Sequence, residues 1–346
     1  TSRAATGIYI SLKSILKNKG GIILPAISCP SPANAVLFSG NKPIFCDIDL
    51  NDFNICLKAL ERILDKDKNI KAIIAIHLYG NTAKMDEIIN LSKKYNVKVI
   101  EDAAQCLGGF YKQKAVGGWG DISVLSFGNT KLLNLELGGA VLTDNAELFE
   151  KLKREEKLLP DIPDKFYELS TNYKRTYYSL KELAEINEDL NDLFKPLPNI
   201  FQSIYLFNRK SINYKKIYEK LSQIEKLVNE RKNKNNIYMN KLNHKLINKV
   251  AYCEGSVPWR FTFRVPSIIR NELTSLLRKN GLDVSNWYPC LFKWYDECKS
   301  NSSENFENAI KFEKEVVNLW LDQSITQKQI KQNCSIINKT LKELLN

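Results

Sequence analysis

The sequence predicts an α/β fold in which a mostly parallel sheet is sandwiched between helices, followed by a smaller α+β domain. Six short apolar runs in the first half have the length of buried strands, and amphipathic stretches such as 54–64 and 85–95 separate most of them. The six runs are 21–27, 43–47, 72–77, 98–102, 122–127 and 140–143. Short apolar strands that alternate with helices are typical of a parallel sheet covered on both faces. Because ligands bind beyond the carboxyl ends of the strands in such sheets, the loops after 98–102 and 122–127 are expected to border a site.

The second half of the chain has a different pattern. A helical region starts at 147–155, the polar segment 158–198 fits no regular element, and the pattern is helical again from Asn199. The apolar residues Ile217, Leu221, Ile224 and Val228 have the spacing of one face of a helix. Residues 257–266 alternate as a strand does. We therefore expect a large α/β domain over 1–198 and a small C-terminal α+β domain over 199–346.

The C-terminal helix carries its own start signal. Thr326 and Gln329 have the spacing of a capping box, in which each side chain accepts a hydrogen bond from the backbone N–H of the other residue. The apolar stripe that follows comprises Ile330, Cys334, Ile337, Leu341 and Leu344. This stripe is expected to face the core of the small domain.

The overall composition is that of an ordinary soluble globular protein. The 346 residues are 44% hydrophobic and 26% charged, and 51 basic against 39 acidic residues give a formal net charge of +12. The excess is spread along Lys- and Asn-rich helices, whereas nucleic-acid binding needs a clustered basic face. We therefore expect a solvated basic surface and no nucleic-acid partner, although a positive field favours a phosphate-bearing substrate.

Neither a metal site nor a membrane segment is predicted. The eight cysteines include no C-x-x-C pair, and the only histidines are His77 and His244. Most cysteines lie in apolar runs, which indicates buried free thiols and a cytoplasmic location. Segment 20–41 is uncharged and long enough to span a bilayer, but its three prolines favour a strand, a loop and a helix. No signal peptide is recognised.

Lys131 is the residue that carries most chemical information. It follows the apolar run 122–127 and is the only basic residue between Ala115 and Glu150 in a lysine-rich chain. A lone amine at the end of a strand is suited to form the Schiff base with pyridoxal 5'-phosphate (PLP), provided that burial lowers its pKa. A surface lysine in a loop is the alternative.

Asp102 supplies the second group that PLP needs. It ends the run 98–102, and a carboxylate there can keep the pyridine nitrogen protonated, so that the ring acts as an electron sink. A helix N-cap is the alternative role. Glu101 is the competing carboxylate, and because side chains alternate along a strand, only one of the two can face the ring. Gln105 lies one turn further on, where its amide could reach the ring hydroxyl.

The cofactor phosphate requires backbone N–H groups at a helix start. The segment around Arg3 and Ala4 opens an amphipathic helix, and Ser126 could add a hydroxyl group from another loop. Gly138 and Gly139 fit either a close backbone approach near the site or a tight turn, and both readings stay open. His77 is expected to be a packed, hydrogen-bonded histidine, and the tryptophans at 259, 287 and 294 are expected in the core or at an interface.

Taken in order, these segments resemble the DegT/StrS family of PLP-dependent sugar aminotransferases. The resemblance runs over nearly the whole chain, and its highly specific matches are 77–80 with 85–86, and 101–105. Residues 120–121, 126–127, 131 and 138–139 follow in register. It implies the fold of the fold-type I aminotransferases and a homodimer with its sites at the subunit interface. Lys131 would form the Schiff base and shuttle the proton, Asp102 would bind the pyridine nitrogen, and Gln105 would bind the ring hydroxyl.

The resemblance also assigns the phosphate site and marks two departures. Ser126, with the backbone of Arg3 and Ala4, would hold the phosphate. Cys29 stands where the family usually stacks an aromatic ring on the cofactor, and Leu137 stands where a glutamate commonly precedes the glycine pair.

The reaction implied by the resemblance is transfer of an amino group from glutamate to a nucleotide-linked keto-sugar, for surface polysaccharide or amino-sugar biosynthesis. The lysine at 131 favours transamination, since family members with histidine there are sugar dehydratases. Two alternatives stay open. One is a fold-type I PLP enzyme acting on amino acids, with Arg260 or Arg264 binding the substrate carboxylate. The other is a degenerate, non-catalytic family member.

Overall fold

The computed structural model describes residues 1–209, 213–295 and 305–344, and its centre is a six-stranded sheet. The strands of the N-terminal part are β1 (Gly21–Pro25), β2 (Lys42–Cys46), β3 (Ile70–Ile76), β4 (Lys98–Asp102), β5 (Phe110–Tyr111), β6 (Lys114–Ala115), β7 (Ile122–Ser126) and β8 (Gly139–Leu142). The sheet has the order β2-β1-β3-β4-β7-β8, and β5 and β6 form a separate hairpin. Every pair of neighbouring strands in this sheet is parallel, except that β8 runs antiparallel to β7. The predicted mostly parallel sheet is therefore confirmed, and each of the six apolar runs corresponds to one of its strands.

Helices cover both faces of this sheet. The helices up to residue 209 are α1 (Ala4–Ile15), α2 (Pro30–Phe38), α3 (Leu57–Lys66), α4 (Met85–Tyr95), α5 (Ala146–Lys157), α6 (Phe166–Ile186) and α7 (Leu197–Ile200). Alternation along β1 sends Ile22 and Leu24 into one apolar cluster and Ile23 into another, so the strand is buried on both sides. A strand without a polar face is stable only between two layers, which is why an uninterrupted apolar run marks it in the sequence.

Local sequence chemistry sets the helix ends, and α4 is the clearest case. Asp86 and Glu87 lie in its first turn and Lys93 and Lys94 in its last. The acidic pair interacts favourably with the positive end of the helix dipole, and the basic pair with the negative end. Asn96 ends the helix in the left-handed conformation, with φ 53°. The helix covers the predicted stretch 85–95.

A second, antiparallel sheet lies in the C-terminal part. The described elements there are α8 (Tyr214–Leu221), α9 (Ile224–Lys241), β9 (Asn248–Lys249), β10 (Arg260–Arg264), α10 (Ser267–Lys279), β11 (Val284–Ser285), α11 (Glu307–Glu315), β12 (Val316–Trp320) and α12 (Gln327–Glu343). The sheet order is β11-β12-β10-β9, and α9, α10 and α12 cover it. The capping box of Thr326 and Gln329 is present, and the stripe of α12 is buried from Ile330 to Leu341. The predicted α+β character is confirmed, whereas the domain boundary between 198 and 199 stays a prediction.

Two features of the chain differ from the sequence expectations. The prediction that Ile217, Leu221, Ile224 and Val228 share one helix is wrong, because the helix breaks after Leu221 and α9 starts at Ile224. The apolar spacing continues across the break, so periodicity alone could not reveal it. The segment 158–198, which fitted no element, contains the 21-residue helix α6.

The uncharged segment 20–41 forms β1, a loop and α2, as predicted. Among the described residues, no helix combines the length and apolar character needed to cross a membrane.

Candidate active site

One cavity lies at the carboxyl ends of β4 and β7. Its volume is about 490 Å³, within the usual range for cofactor and substrate sites. All seven site residues predicted from the sequence line it, namely Arg3, Ala4, Cys29, Asp102, Gln105, Ser126 and Lys131. The sequence separation among them reaches more than a hundred residues, and the parallel sheet brings them together because its strand ends share one edge.

Lys131 lies in the loop after β7, and its amine borders the cavity. Burial lowers the pKa of Lys131 to about 8, although the charges of Cys29 and Asp102 oppose this shift. Its Nζ lies 4.8 Å from the centre of the Trp259 ring. A lysine with a lowered pKa in a cavity is the kind of amine that reacts with an aldehyde. The position of Lys131 at the cavity therefore favours the Schiff-base role over the surface-loop alternative.

The backbone just before Lys131 is fixed by two side chains from the C-terminal part. Thr130 has a positive φ of 69°, which is uncommon for a non-glycine residue. Its carbonyl oxygen accepts a hydrogen bond from Trp259 Nε1 at 3.1 Å and another from Arg231 Nη2 at 2.9 Å. Sequence reasoning missed both contacts, because Trp259 was expected in the core and Arg231 lies in a lysine-rich helix without a local signal.

Asp102 and Glu101 have opposite roles, as strand alternation requires. Asp102 lines the cavity and its Oδ1 accepts the N–H of Ala104 at 3.0 Å. Burial raises the pKa of Asp102, and the Ala104 N–H and the charge of Lys131 act against that rise. Because Ala104 is two residues after Asp102, this hydrogen bond also stabilises the turn that follows β4.

Glu101 is fully buried on the other side of β4 and is structural. Its carboxylate accepts N–H bonds from Gly117 at 2.7 Å and Trp119 at 2.8 Å, and the hydroxyl of Ser123 at 2.7 Å. Burial alone would raise its pKa, but the hydrogen bond from His77 and those from the backbone N–H donors lower the pKa of Glu101 to about 2. It is therefore a charged anchor that does not reach the cavity.

His77 is the packed, hydrogen-bonded histidine that was predicted. Its Nδ1 accepts the N–H of Ala83 at 3.0 Å, so its Nε2 carries the hydrogen that faces Glu101 Oε1 at 3.0 Å. Because both ring nitrogens are engaged, His77 holds the end of β3 against β4.

Gln105 is oriented by a neighbouring turn. Its Oε1 accepts the N–H of Tyr79 at 2.9 Å, and Tyr79 itself adopts a positive φ of 55°. Since the oxygen is engaged, the NH₂ group is the part left to donate toward the cavity that Gln105 lines.

The start of α1 forms a cradle for an anion. Arg3 is the N-cap, and its side chain makes no capping bond, so the N–H groups of the first turn, including Ala4, are without a side-chain partner. The Arg3 guanidinium lies 5.2 Å from the centre of the Phe166 ring, and its Nε is buried without a hydrogen-bond partner. Ser126 lines the same cavity from the end of β7.

Gly138 and Gly139 allow the start of α1 to lie directly against the sheet. The N-terminal amine of Thr1 donates to the carbonyl of Gly139 at 3.1 Å, and the N–H of Gly139 donates to the carbonyl of Thr1 at 3.1 Å. A Cβ at Gly139 would lie 3.0 Å from the nitrogen of Ala4, and Gly138 has a φ of +126°. Close backbone approach near the site is therefore the reading that the geometry supports, rather than a turn alone.

Helix α6 adds a wall that sequence reasoning did not predict. Phe166, Tyr167, Ser170 and Lys174 line the cavity, and Tyr205 completes the same side. The segment shows no clear helical pattern in the sequence, because the cavity-facing side of α6 carries both polar and aromatic residues. A helical periodicity search that requires an apolar face would miss it.

The two arginines considered for binding a substrate carboxylate do not line the cavity. Arg260 lies 4.5 Å from the Trp259 ring centre and 3.8 Å from that of Trp320, and it donates to Ser285. Arg264 pairs with Glu315 at 2.7 Å. Both guanidinium groups thus have structural partners.

The departures at 29 and 137 also lie at the cavity. Cys29 is the N-cap of α2, and its Sγ lies 3.3 Å from the hydroxyl of Ser31. Leu137 lines the cavity beside Gly138.

Trp294, expected in the core or at an interface, stacks on Phe194 with ring centres 4.0 Å apart.

Comparison with known proteins shows which family the N-terminal part of the chain resembles. Residues 1–159 match the DegT/DnrJ/EryC1/StrS aminotransferase family. The N-terminal part of this chain is thus similar to that family. A UDP-4-amino-4,6-dideoxy-N-acetyl-beta-L-altrosamine transaminase from Campylobacter jejuni is 39% identical over 151 residues, which are 43% of this chain and 40% of the relative. The match thus spans about two fifths of the length of that relative.

The fold extends the likeness to nearly the whole chain. The aminotransferase TlmJ from Streptoalloteichus hindustanus has a TM-score of 0.78 and 19% identity, covering 99% of this chain and 85% of TlmJ. NtdA from Bacillus subtilis, solved with the bound cofactor PMP, has a TM-score of 0.72 and 23% identity, covering 98% of this chain and 72% of NtdA. The chain therefore has the fold of the fold-type I aminotransferases, as the sequence predicted.

Proposed function

We propose that this protein is a PLP-dependent aminotransferase that moves an amino group from glutamate to a nucleotide-linked keto-sugar. The observation that carries the proposal is that Lys131 and Asp102 line one cavity, together with an uncapped helix start. An amine with a lowered pKa, a buried carboxylate and an anion cradle are the three protein groups that PLP needs.

The residues present fit this cofactor. The free N–H groups at the start of α1 and the unpartnered Nε of Arg3 suit a phosphate, and Ser126 adds a hydroxyl group. Asp102 would bind the pyridine nitrogen, and the NH₂ of Gln105 would reach the ring hydroxyl. Cys29 would contact the ring where relatives usually place an aromatic side chain. These assignments of Lys131, Asp102, Gln105, Ser126, Arg3, Ala4 and Cys29 are part of the proposal.

When bound, PLP would link to an amine through its aldehyde and withdraw electrons from the substrate carbon next to that amine. The chain's own groups then have distinct tasks. Lys131 Nζ would take a proton from one substrate carbon and return it to another, and its lowered pKa suits such a base. Asp102 would stay ionised opposite a positive nitrogen, because a nearby cation offsets the effect of burial on its pKa.

The sugar substrate is supported by the relatives and by the site. The Campylobacter jejuni relative is named for a UDP-linked amino-sugar, and this supports a role of this chain in amino-sugar or surface polysaccharide biosynthesis. In this chain Arg260 and Arg264 are engaged elsewhere, so neither is free to hold the carboxylate of an amino-acid substrate. This favours the keto-sugar reaction over the amino-acid alternative.

We further propose that the protein is a cytoplasmic homodimer. Seven cysteines in the described part of the chain are free thiols, as expected in a reducing compartment. Leu158 is 77% exposed, which suits a surface covered by a second copy. Light scattering of the purified protein would test the dimer, and a monomer at working concentration would exclude it.

The proposed reaction is tested by the spectrum of the purified protein. Cofactor absorbance should lie above the protein band, bleach with glutamate and return with a keto-sugar nucleotide. Lys131→Ala should lose borohydride trapping of the cofactor, whereas Lys114→Ala, at an exposed lysine, should retain it. A colourless protein that takes up no added PLP would support the non-catalytic alternative and overturn the proposal. Turnover with amino acids alone, without sugar nucleotides, would overturn the substrate assignment.

A further inference from the structure

We propose that the face of α6 formed by Tyr167, Ser170 and Lys174 binds the nucleoside diphosphate of the substrate. This inference rests on the proposed function and names the part of the chain that would recognise the nucleotide half of the sugar nucleotide. Helix α6 lies outside the 159 residues that match the family. The inference therefore concerns a site built by the divergent part of this chain.

The geometry of α6 separates a packing face from a cavity face. At about 100° per residue, positions 166, 167, 170 and 174 fall within one arc of about 100°. Leu169, Tyr173 and Leu180 occupy the neighbouring arc and pack against the main core cluster, to which Tyr177, at the border between the two arcs, belongs. The helix is therefore anchored by one side while the adjacent side borders the cavity.

The cavity face presents polar groups that have no partner within the chain. The hydroxyl of Ser170 is buried and makes no hydrogen bond, even to the carbonyl one turn back that helical serines often use. Lys174 lines the cavity, and no ion pair is found for it among the described residues. An unsatisfied buried hydroxyl beside an unpaired ammonium is suited to hold an anion.

The charges of the cavity show which cation is left for the substrate. Arg3, Lys131 and Lys174 are the cations that line it, and Asp102 and Glu136 are the carboxylates. In the proposed function Lys131 pairs with the cofactor aldehyde, and Arg3 lies at the phosphate cradle with Ala4. Lys174 is then the cavity-lining cation that the cofactor does not use. The cavity of about 490 Å³ also leaves room for a substrate beside the cofactor.

The aromatic ring at the start of the face favours a nucleotide over a simple carboxylate. Tyr167 is 73% exposed and lines the cavity, and its only ring contact among the described residues is the edge of Phe166 at 5.4 Å. An open aromatic face can stack a base without selecting its identity. The ammonium group of Lys174 would bind a phosphate as a point charge. Along α6, Tyr167 would therefore contact the base, and Ser170 and Lys174 would contact the diphosphate.

The test is calorimetric titration of the PLP-loaded protein with UDP, dTDP and GDP, and separately with inorganic pyrophosphate. Lys174→Ala should weaken nucleoside diphosphate and pyrophosphate binding about tenfold, since a charge-assisted contact is lost. Tyr167→Ala should weaken nucleoside diphosphate binding about tenfold but leave pyrophosphate binding unchanged, since only the base stacks on the ring. Ser170→Ala should weaken both ligands less than Lys174→Ala does.

Arg175→Ala is the matched control. It removes one positive charge from the next, exposed position of α6, which points about 100° away from Lys174. The inference is overturned if Lys174→Ala and Arg175→Ala behave alike. It is also overturned if Lys174→Ala raises only the glutamate concentration needed for bleaching, because α6 would then bind the amino donor. Wild-type protein that aminates a keto-sugar nucleotide while the α6 variants match the control would sink the inference alone. Wild-type protein that neither binds nucleoside diphosphates nor aminates the sugar would sink the proposed function itself.

Discussion

Trp259 contacts the loop of Lys131 at two points. Its ring centre lies 4.8 Å from Lys131 Nζ, and its Nε1 donates to the carbonyl of Thr130, the residue directly before the lysine. Trp259 immediately precedes β10 of the second sheet. The position of the amine therefore depends on how the C-terminal part packs against the central sheet.

Trp259 and Arg231 are predicted to act as positioning residues for Lys131. Trp259→Phe keeps a ring beneath the amine but loses the hydrogen bond, and Arg231→Gln weakens the second one. Each change should lower the rate of bleaching by glutamate about tenfold, which corresponds to about 1.4 kcal/mol. The double variant should lose more than the product of the two, because only then is the Thr130 carbonyl left without either partner.

Trp320→Phe serves as the control for this cycle. Trp320 also contacts Arg260, but within the described part of the chain the aromatic ring that lies against Lys131 Nζ is that of Trp259. The pH at which the cofactor absorbance changes should shift in the Trp259 and Arg231 variants and stay unchanged in Trp320→Phe. An unshifted absorbance titration in all variants would show that the two side chains only stabilise the fold.

The lowered pKa of Lys131 predicts the pH dependence of cofactor uptake. The ordinary pKa of 10.5 is lowered to about 8 by burial, and the neutral amine is the form that attacks an aldehyde. The initial uptake rate of PLP-free protein should therefore rise about tenfold per pH unit below about 8 and level off above it. Asp102→Asn removes a charge that raises this pKa, so its plateau should begin at lower pH. A rate that keeps rising to about pH 10 would contradict the burial of the amine.

Much of this site could be predicted because its residues follow buried strands. Asp102 ends β4 and Lys131 lies in the loop that follows β7, and in a parallel sheet the ends of neighbouring strands meet at one edge. The separation of Glu101 from Asp102 follows from strand alternation alone. Local rules were therefore sufficient to predict that Asp102 and Lys131 lie at one site and that Glu101 does not.

The remaining parts depend on tertiary contacts that leave no local trace. Nothing near Arg231 indicates that its guanidinium reaches the carbonyl of Thr130, about a hundred residues earlier. The break between α8 and α9 keeps the apolar spacing, so periodicity joined two helices into one. Helix α6 was missed because its cavity face carries Ser170 and Lys174, where a core-facing helix would carry apolar residues.

Cys29 should be protected from alkylation by bound cofactor. Its thiol is partly buried at the cavity that PLP is proposed to fill, beside the hydroxyl of Ser31. Peptide mass mapping after brief iodoacetamide treatment should show slower modification of Cys29 when PLP is present. Cys56 and Cys253 are also partly buried but lie outside this cavity, so their modification should not change. Equal labelling of Cys29 with and without PLP would place the cofactor elsewhere.

Glu101 is predicted to be a stability determinant rather than a catalytic residue. Glu101→Gln removes the charge that faces His77 and the N–H groups of Gly117 and Trp119. Breaking a buried charged network of this kind should lower the free energy of unfolding by about 3–5 kcal/mol. Glu61→Gln, which breaks an exposed pair with Lys94, should lower it by less than about 1 kcal/mol.

The pH dependence of this difference follows from the direction of the Glu101 shift. Its pKa is lowered from the ordinary 4.5 to about 2 in the folded protein. The ionised form thus stabilises the fold fully above about pH 4.5, and that stabilisation is lost as the pH falls toward 2. Urea unfolding of wild-type and Glu101→Gln protein should give free energies that differ most near neutral pH and converge in acid. A difference that is independent of pH would mean that packing, and not the charge of Glu101, holds β4 to the loop at 117–120.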